Sequence, residues 1–361
     1  MPRPAAGPPV PYAKSSKLVR YLAVAYLLLV AYTSLYPFTG WHRPDEEVRA
    51  FLASDWPRFL TWSDVALNAL AYLPAGFLLT LILMPLMRRS LAAVAAAALA
   101  AGISLGFEFI QTYLPARIPS NVDLLCNAFG AALGALLAAR FGGWVLSGEL
   151  RRLREQWFAP GAQVDFCFLL LALWLITQLN AEIWLFGNGD VRHLLPDPPA
   201  VAYSAQTYLL LEAGVAGLNG AGVLLMLSAI SRSLNAAAAS SVILLLLALG
   251  LKSLASAALF VSGNPLLWFT PGSSAGLAIG AIAWLALIAL PRPVQAAAAA
   301  ACFALGMAIV NAAPENPYLT AALRVWQHGH YGVVNELTRG LSSAWSFIAI
   351  AYLAYAGYRL R

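Results

Sequence analysis

The chain has 361 residues, of which 61% are hydrophobic and only 11% are charged, and its formal net charge is +6. A soluble domain carries about 25% charged residues, so this composition excludes an ordinary soluble protein and indicates an integral membrane protein. Long apolar runs recur along the whole chain and predict an all-α, polytopic architecture.

About ten transmembrane helices are predicted, because each apolar run is close to the roughly 20 residues that a spanning helix needs. The predicted spans cover residues 18–38, 62–86, 90–113, 121–140, 163–185, 206–229, 239–260, 274–290, 294–313 and 341–358. We group them into a four-helix membrane domain (18–141), a basic amphipathic cytoplasmic linker (142–162) and a six-helix membrane domain of unknown function (163–361). Basic amphipathic segments of this kind lie on anionic membrane surfaces.

The basic residues are distributed unevenly between the two sides of these spans. Fourteen lie in the two tails and the even-numbered connections, and seven lie in the longer odd-numbered connections. The positive-inside rule therefore predicts that the N-terminus and the C-terminus are both cytoplasmic. Since topology accounts for the basic excess, we expect a multi-pass protein of the cell membrane, with the lipid bilayer as a partner and no nucleic acid.

Polar side chains collect where the second, third and fourth predicted spans approach the outer surface. Ionisable groups inside a hydrocarbon layer are costly, so by default they indicate a functional site. At 1.5 Å per residue, the acids and amides of all three spans lie in one layer within about 9 Å of the outer boundary. The predicted binding cluster consists of Asp64, Asn68, Glu108, Gln111, Arg117, Asp123 and Asn127.

Small residues flank this cluster. Gly102-x-x-x-Gly106 precedes Glu108, and Gly130-x-x-x-Gly134 follows Asn127. Such motifs let helix backbones approach closely in lipid. Pro74 and Gly76 are expected to break the second span and free backbone groups near the cluster. For any single residue, an interhelical hydrogen bond that only fixes packing is the competing interpretation.

These motifs resemble the VanZ-like domain, the family of the teicoplanin-resistance protein. The resemblance rests on D-V-A-L-N followed by P-A-G (64–76), E-F-I-Q (108–111), Arg117, D-L-L-C-N (123–127) and G-A-A-L-G (130–134). It covers residues 18–141, and the six further predicted spans extend beyond it.

The resemblance implies an integral protein of the bacterial inner or plasma membrane, a link to the cell envelope and a link to antibiotic resistance. The named member of the family is associated with resistance to a glycopeptide that anchors itself in the membrane by an acyl chain. The biochemical activity of the family is poorly defined, so the resemblance supplies no reaction.

Three functions remain open from the sequence. The first is an outward-facing site that binds a lipid headgroup, an amphiphile or a cell-envelope precursor, with Arg117 as a ligand for phosphate or carboxylate. The second is a metal-assisted membrane enzyme acting on a lipid-linked substrate, in which Asp64, Glu108 and Asp123 would hold a divalent cation. The third is a small-molecule transporter, although transporter sites usually lie near the midplane between paired repeats. No cofactor is expected under the first function.

Two ion pairs are predicted. A carboxylate of Glu108 or Asp123 is expected to lie within salt-bridge range of Arg117. In the second half of the chain, Glu212 and Lys252 lie at similar depths in neighbouring predicted spans. Since an unpaired charge at that depth is costly, we expect these two side chains to form a structural intramembrane pair.

Overall fold

The computed structural model describes residues 17–44, 47–56, 61–146, 148–180, 182–192, 204–259, 264–314 and 330–359. Within these residues the secondary structure is helical, apart from one isolated antiparallel bridge between Phe158 and Ser231. The all-α prediction is therefore confirmed. The chain forms two compact units, Met1–Arg154 and Glu155–Arg361, which we call unit 1 and unit 2.

Unit 1 is built from long apolar helices. A short 3-10 helix, Ala50–Ala53, precedes the second of them, and a short basic helix, α5, follows the last. The long helices are α1 (Lys17–Leu35), α2 (Trp62–Leu83), α3 (Arg89–Gln111) and α4 (Asn121–Val145). The short helix α5 (Gly148–Trp157) includes the boundary between the two units, which lies after Arg154.

Unit 2 is arranged around one almost completely buried helix, α7, in which 83% of the apolar window lies inside the protein. The helices of this unit are α6 (Ala162–Thr177), α7 (Ala205–Ile230), α8 (Leu234–Leu259), α9 (Pro271–Leu287), α10 (Arg292–Ala312) and α11 (His330–Arg359). Trp174, Phe186, Phe303 and Trp345 are buried in its core.

Eight helices of the described chain are long and apolar enough to cross a bilayer: α1 to α4, α7, α8, α10 and α11. The protein is therefore a multi-pass membrane protein with eight candidate spans. Two of the ten predicted spans are shorter, because α6 has 16 residues and α9 has 17. The predicted span 163–185 ends early because the chain leaves the helix at Thr177 and continues as non-helical backbone.

The second of the two G-x-x-x-G motifs brings α2 and α4 into backbone contact. A Cβ atom on Gly130 would collide with the backbone of Ala69, and one on Gly134 would collide with the backbone of Leu73. Gly76 of α2 meets the backbone of Ala131 in the same way. Any side chain at these positions would push the two helices apart.

The first motif does not have the expected role. A Cβ atom added at Gly102 or at Gly106 meets no atom within 4 Å. These two glycines of α3 therefore face open space, and the close approach that we predicted for them is wrong. A small-x-x-x-small pattern specifies a smooth helix face, but it does not specify which helix covers that face.

Pro74 does not interrupt α2, which runs through it from Trp62 to Leu83. The backbone before the proline is supported from α1, since the Tyr26 hydroxyl donates a hydrogen bond to the Ala71 carbonyl at 2.8 Å. One turn later, the Thr80 hydroxyl donates to the Gly76 carbonyl. The predicted helix break is therefore wrong, and two carbonyl groups near the proline have additional side-chain donors.

Candidate functional site

Glu108 lies at the junction between α3 and α4. Its side chain is only 3% exposed, and its Oε2 atom accepts a hydrogen bond from the Ser120 backbone N–H at 2.8 Å. Ser120 is the N-cap residue of α4, and its hydroxyl accepts a hydrogen bond from the Asp123 backbone N–H. The carboxylate therefore lies at the positive end of the α4 dipole, where negative charge is stabilised.

A second link joins α2 to α4. The Asn68 amide donates to Asp123 Oδ1 at 2.8 Å, so two residues of the predicted cluster interact directly. Asp64 forms a capping box with Thr61 at the start of α2. Asp64 thus helps to define where the helix begins.

Below this junction lies a group that we call the inner cluster: Tyr72, Ser104, Glu108 and Asn127. All four residues are buried, with between 1% and 6% of their surface exposed. Asn127 Nδ2 donates to Ser104 Oγ at 2.9 Å, which joins α4 to α3. Tyr72 of α2 interacts electrostatically with Glu108 and lies beside Ser104.

The inner cluster contains two unsatisfied polar atoms. The Tyr72 hydroxyl lies beside the Ser104 and Ser34 side chains but makes no hydrogen bond of good geometry, and Asn127 Oδ1 has no hydrogen-bond partner. Both atoms are inaccessible to solvent. Most buried polar atoms in folded proteins are paired, and a buried unpaired one costs roughly 1–3 kcal/mol. Two such atoms in one cluster with a buried carboxylate are therefore unusual for a folded protein.

Arg117 is directed at α1. Its Nε atom donates to the Tyr36 carbonyl at 2.8 Å, and its Nη2 atom donates to the Thr33 carbonyl. Glu108 and Asp123 act on the guanidinium electrostatically, but its direct hydrogen bonds go to backbone carbonyls. Burial lowers the pKa of Arg117 below its usual range, and the two carboxylates oppose that shift. We expected a carboxylate partner, but the unpaired carbonyls that end α1 hold this side chain instead.

Gln111 has a similar role, since its Nε2 atom donates to the Ser34 carbonyl at 2.9 Å. The end of α1 is thus attached to both α3 and the α3–α4 turn. Sequence reasoning placed the cluster on three helices and missed this fourth one, because the groups that α1 contributes are backbone carbonyls that any sequence would provide.

Replacing Arg117 by glutamine is expected to destabilise unit 1 by about 1.5–3 kcal/mol, because carbonyl groups of Thr33 and Tyr36 lose a charged donor. Lysine at this position should recover only part of the loss, since it cannot present two donors in a fixed fork. The measurement is thermal unfolding of the purified full chain in detergent. The exposed Arg43 provides the matched control, and an Arg117→Gln variant as stable as Arg43→Gln would exclude this role.

Two residues of the inner cluster, Tyr72 and Ser104, were not predicted from the sequence. Each lies four residues from a predicted member, since Tyr72 follows Asn68 and Ser104 precedes Glu108. Residues four apart share one face of a helix. Extending the predicted cluster by one turn along each helix would therefore have found both.

The family model that matches this chain, described as VanZ/LLP1, covers residues 17–142. These residues form a VanZ/LLP1 family domain. The match begins at the first residue of α1 and ends within α4, so the helix that carries the Arg117 acceptors belongs to the domain. No curated protein and no solved structure matches the chain.

Three acidic side chains of the VanZ/LLP1 domain each contribute a different structural contact. Asp64 caps α2, Glu108 binds the start of α4, and Asp123 accepts from Asn68. Among the described residues, no group of three or more His, Cys, Asp or Glu side chains could hold a metal ion. The hard-oxygen site considered from the sequence is therefore not assembled by the described acids.

The Glu212–Lys252 pair predicted for the six-helix part does not form in unit 2. The Lys252 ammonium donates to the carbonyls of Asn180 and Ile183, both at 2.6 Å. The Glu212 side chain instead bonds to Thr270, the N-cap residue of α9, and fills the space left by the missing side chain of Gly272. Lys252 thus interacts with backbone carbonyls and Glu212 with a helix N-terminus. A comparison of side-chain depths in the sequence cannot reveal such partners.

Lys252 supports non-helical backbone inside unit 2. We call residues 182–192 the buried segment, because Leu185, Phe186 and Asn188 in it are at most 2% exposed. Asn311 of α10 donates to the Gly189 carbonyl and accepts from the Val191 N–H. Ser342 of α11 donates to the Gly187 carbonyl. Buried non-helical backbone is tolerated only when other groups satisfy its N–H and C=O groups in this way.

Proposed function

We propose that the VanZ/LLP1 domain binds the polar head of a membrane amphiphile, such as a lipid or a lipid-linked cell-envelope precursor, in its inner cluster. The observation that carries the proposal is the pair of unsatisfied atoms, the Tyr72 hydroxyl and Asn127 Oδ1, beside the buried Glu108 carboxylate. A headgroup that donates a hydrogen bond to Asn127 Oδ1 would remove the cost of burying it unpaired.

The position of the cluster suits an amphiphile. Asn127 lies six residues after the start of α4, which is about 9 Å below the helix end, and Ser104 lies about 10 Å below the end of α3. A ligand reaching this depth can keep its acyl chain in the bilayer. The distribution of basic residues supports an outward-facing site, since the helix ends above the cluster belong to the side with fewer basic residues.

Arg117 does not serve as the phosphate ligand in this proposal, because its direct hydrogen bonds hold the end of α1. The polar contacts to a ligand come from the inner cluster. Asp123, Asn68 and Gln111 form the junction above it and keep α1 to α4 in register.

The test compares lipid retained by the full chain in native mass spectrometry after purification from a membrane extract. Wild-type protein is expected to retain one amphiphile in the inner cluster. Tyr72→Phe and Asn127→Leu are expected to reduce that occupancy at least tenfold, because each removes a group left unpaired in the free site. Two changes outside the cluster serve as matched controls, Tyr113→Phe and Asn121→Leu, since Tyr113 is an exposed tyrosine and Asn121 begins the same helix as Asn127.

Stability separates a ligand from a structural water. Tyr72→Phe removes a buried hydroxyl that makes no hydrogen bond of good geometry, so the ligand-free protein should be as stable as wild type or more stable. If a buried water satisfies the hydroxyl instead, Tyr72→Phe should destabilise the protein and leave lipid retention unchanged, which would contradict the proposal. In cells, an effect on susceptibility to acylated glycopeptides would follow the same pattern, present with wild type and lost with Tyr72→Phe.

The same samples address the two other functions. A metal-assisted enzyme predicts a stoichiometric divalent cation that is lost from the Asp123→Asn variant. A transporter predicts uptake of a water-soluble solute into vesicles that Tyr72→Phe abolishes. A retained divalent cation or solute uptake, in protein that retains no amphiphile, would contradict the proposal and support the corresponding alternative.

A further inference from the structure

A second polar site lies in unit 2, where the buried segment meets the start of α11. Asn180, which is fully buried, donates to the Asn335 carbonyl at 3.1 Å and to the Thr338 hydroxyl at 3.0 Å. Its own side-chain oxygen accepts from the backbone N–H groups of Glu182 and Ile183. These contacts fix the Glu182 backbone next to the first turns of α11.

Charges of both signs meet at this point. The Glu182 carboxylate interacts with the Asn335 side chain and, electrostatically, with Arg339 and Glu336. The only described ion pair of Arg339 is at the limit of contact, since its Nη1 atom lies 4.0 Å from Glu336 Oε1. Its side chain is 46% exposed, so the guanidinium can reach a ligand.

One atom of this group lacks a partner. Asn335 is 9% exposed, and its Oδ1 atom is buried with no hydrogen bond. An amide oxygen accepts hydrogen bonds and cannot donate them. A ligand that completes the site must therefore bring an N–H or O–H donor to Asn335, next to the Glu182 carboxylate.

We propose that this group binds a zwitterionic headgroup that carries a primary ammonium and a phosphate, as phosphoethanolamine does. The ammonium donates to Glu182 and to Asn335 Oδ1, and the phosphate accepts from Arg339. Asn335 is the second residue of the candidate span Val334–Gly357, and the proposal places it at the level of the lipid headgroups. This site is independent of the inner cluster, because it is built entirely from residues of unit 2.

The chemistry sets a sharp preference. A quaternary ammonium has no N–H and leaves Asn335 Oδ1 unpaired, whereas a primary ammonium has three donors. Rejection of a ligand that leaves a buried polar group unpaired is strong, so phosphatidylethanolamine should be favoured over phosphatidylcholine by about tenfold or more. Retention of lipids with mono- and dimethylated headgroups should lie between these two, and it should decrease with each added methyl group.

The experiment measures headgroup enrichment by native mass spectrometry of the full chain, in nanodiscs made from equimolar phosphatidylethanolamine and phosphatidylcholine. Wild type should enrich the ethanolamine lipid about tenfold, and Glu182→Gln and Asn335→Leu should abolish the preference. Arg339→Gln should weaken retention of both lipids. Arg232→Gln is the matched control, since Arg232 donates to the Phe158 carbonyl and lies between α7 and α8, away from the start of α11. Added free phosphoethanolamine should compete only if the headgroup without its acyl chains is sufficient for binding.

Proton binding gives a second readout. Burial raises the pKa of Glu182, with a further rise from Glu336 that Arg339 and Asn335 oppose. Lowering the pH through that raised pKa neutralises the carboxylate, so enrichment of the ethanolamine lipid should fall at a higher pH than for an ordinary glutamate.

Equal retention of the two lipids by wild type, or a preference that survives Glu182→Gln, would overturn the proposal. Tyr72→Phe does not change this site. A failure of the present proposal can therefore be distinguished from a failure of the proposal for the inner cluster.

Discussion

Alanine at Gly130 or Gly134 is expected to destabilise the protein by at least about 1–3 kcal/mol, whereas alanine at Gly102 or Gly106 should stabilise it slightly. At Gly130 and Gly134, the added methyl group would collide with the backbone of Ala69 or Leu73 in α2. A collision with backbone cannot be relieved by a rotamer change, and overpacking typically costs 1–3 kcal/mol or more. At Gly102 and Gly106 the methyl group meets open space, and alanine is a better helix former than glycine by about 0.8–1 kcal/mol.

The four variants control one another, because the same substitution is made in two motifs of the same spacing on adjacent helices. The measurement is thermal unfolding of the full chain in detergent, together with the yield of monodisperse protein. Equal effects in the two motifs would contradict the α2–α4 contact that positions the inner cluster.

Replacing Lys252 by methionine is expected to cost about 3 kcal/mol or more and to expose the buried segment. The change removes the donor from two carbonyls, those of Asn180 and Ile183, inside unit 2, and each buried acceptor left unpaired costs roughly 1–3 kcal/mol. Protease sensitivity at the buried segment and the unfolding temperature of the full chain measure the effect. Lys17→Met removes the same charge from an exposed position and should leave both readouts unchanged.

The partner of Lys252 can be tested separately by a double-mutant cycle with Glu212→Gln. Since the two side chains have different partners, their effects should add to within about 0.5 kcal/mol. A larger coupling energy would indicate that Lys252 and Glu212 form the ion pair predicted from the sequence.

The membrane class and the polar junction of α2 to α4 could be predicted because they depend on side chains in a regular helix. Asn68 and Asp123 lie near the starts of the second and fourth apolar runs, which enter the membrane from the same side, so helix geometry alone brings them to one level. The contacts that sequence reasoning missed involve backbone. Arg117 and Lys252 both bind carbonyl groups whose availability depends on where a helix ends, and helix ends are the least certain part of a prediction.

The glycine motifs show a different limit. Gly102-x-x-x-Gly106 and Gly130-x-x-x-Gly134 have the same spacing and comparable surroundings, yet only the second meets a neighbouring backbone. The rotation of each helix about its axis decides which face is covered, and that rotation depends on the packing of the whole unit. The sequence could therefore indicate that close contacts exist without indicating where they occur.

We propose that the inner cluster of the VanZ/LLP1 domain holds the polar head of an amphiphile. The most direct test is an electron cryomicroscopy map of the full chain in nanodiscs of native lipid, inspected between Tyr72, Ser104 and Asn127. The proposal predicts headgroup density within hydrogen-bond distance of the Tyr72 hydroxyl and Asn127 Oδ1, continuous with an acyl chain and missing in Tyr72→Phe. An isolated water, or a closed interior without density between these side chains, would contradict it.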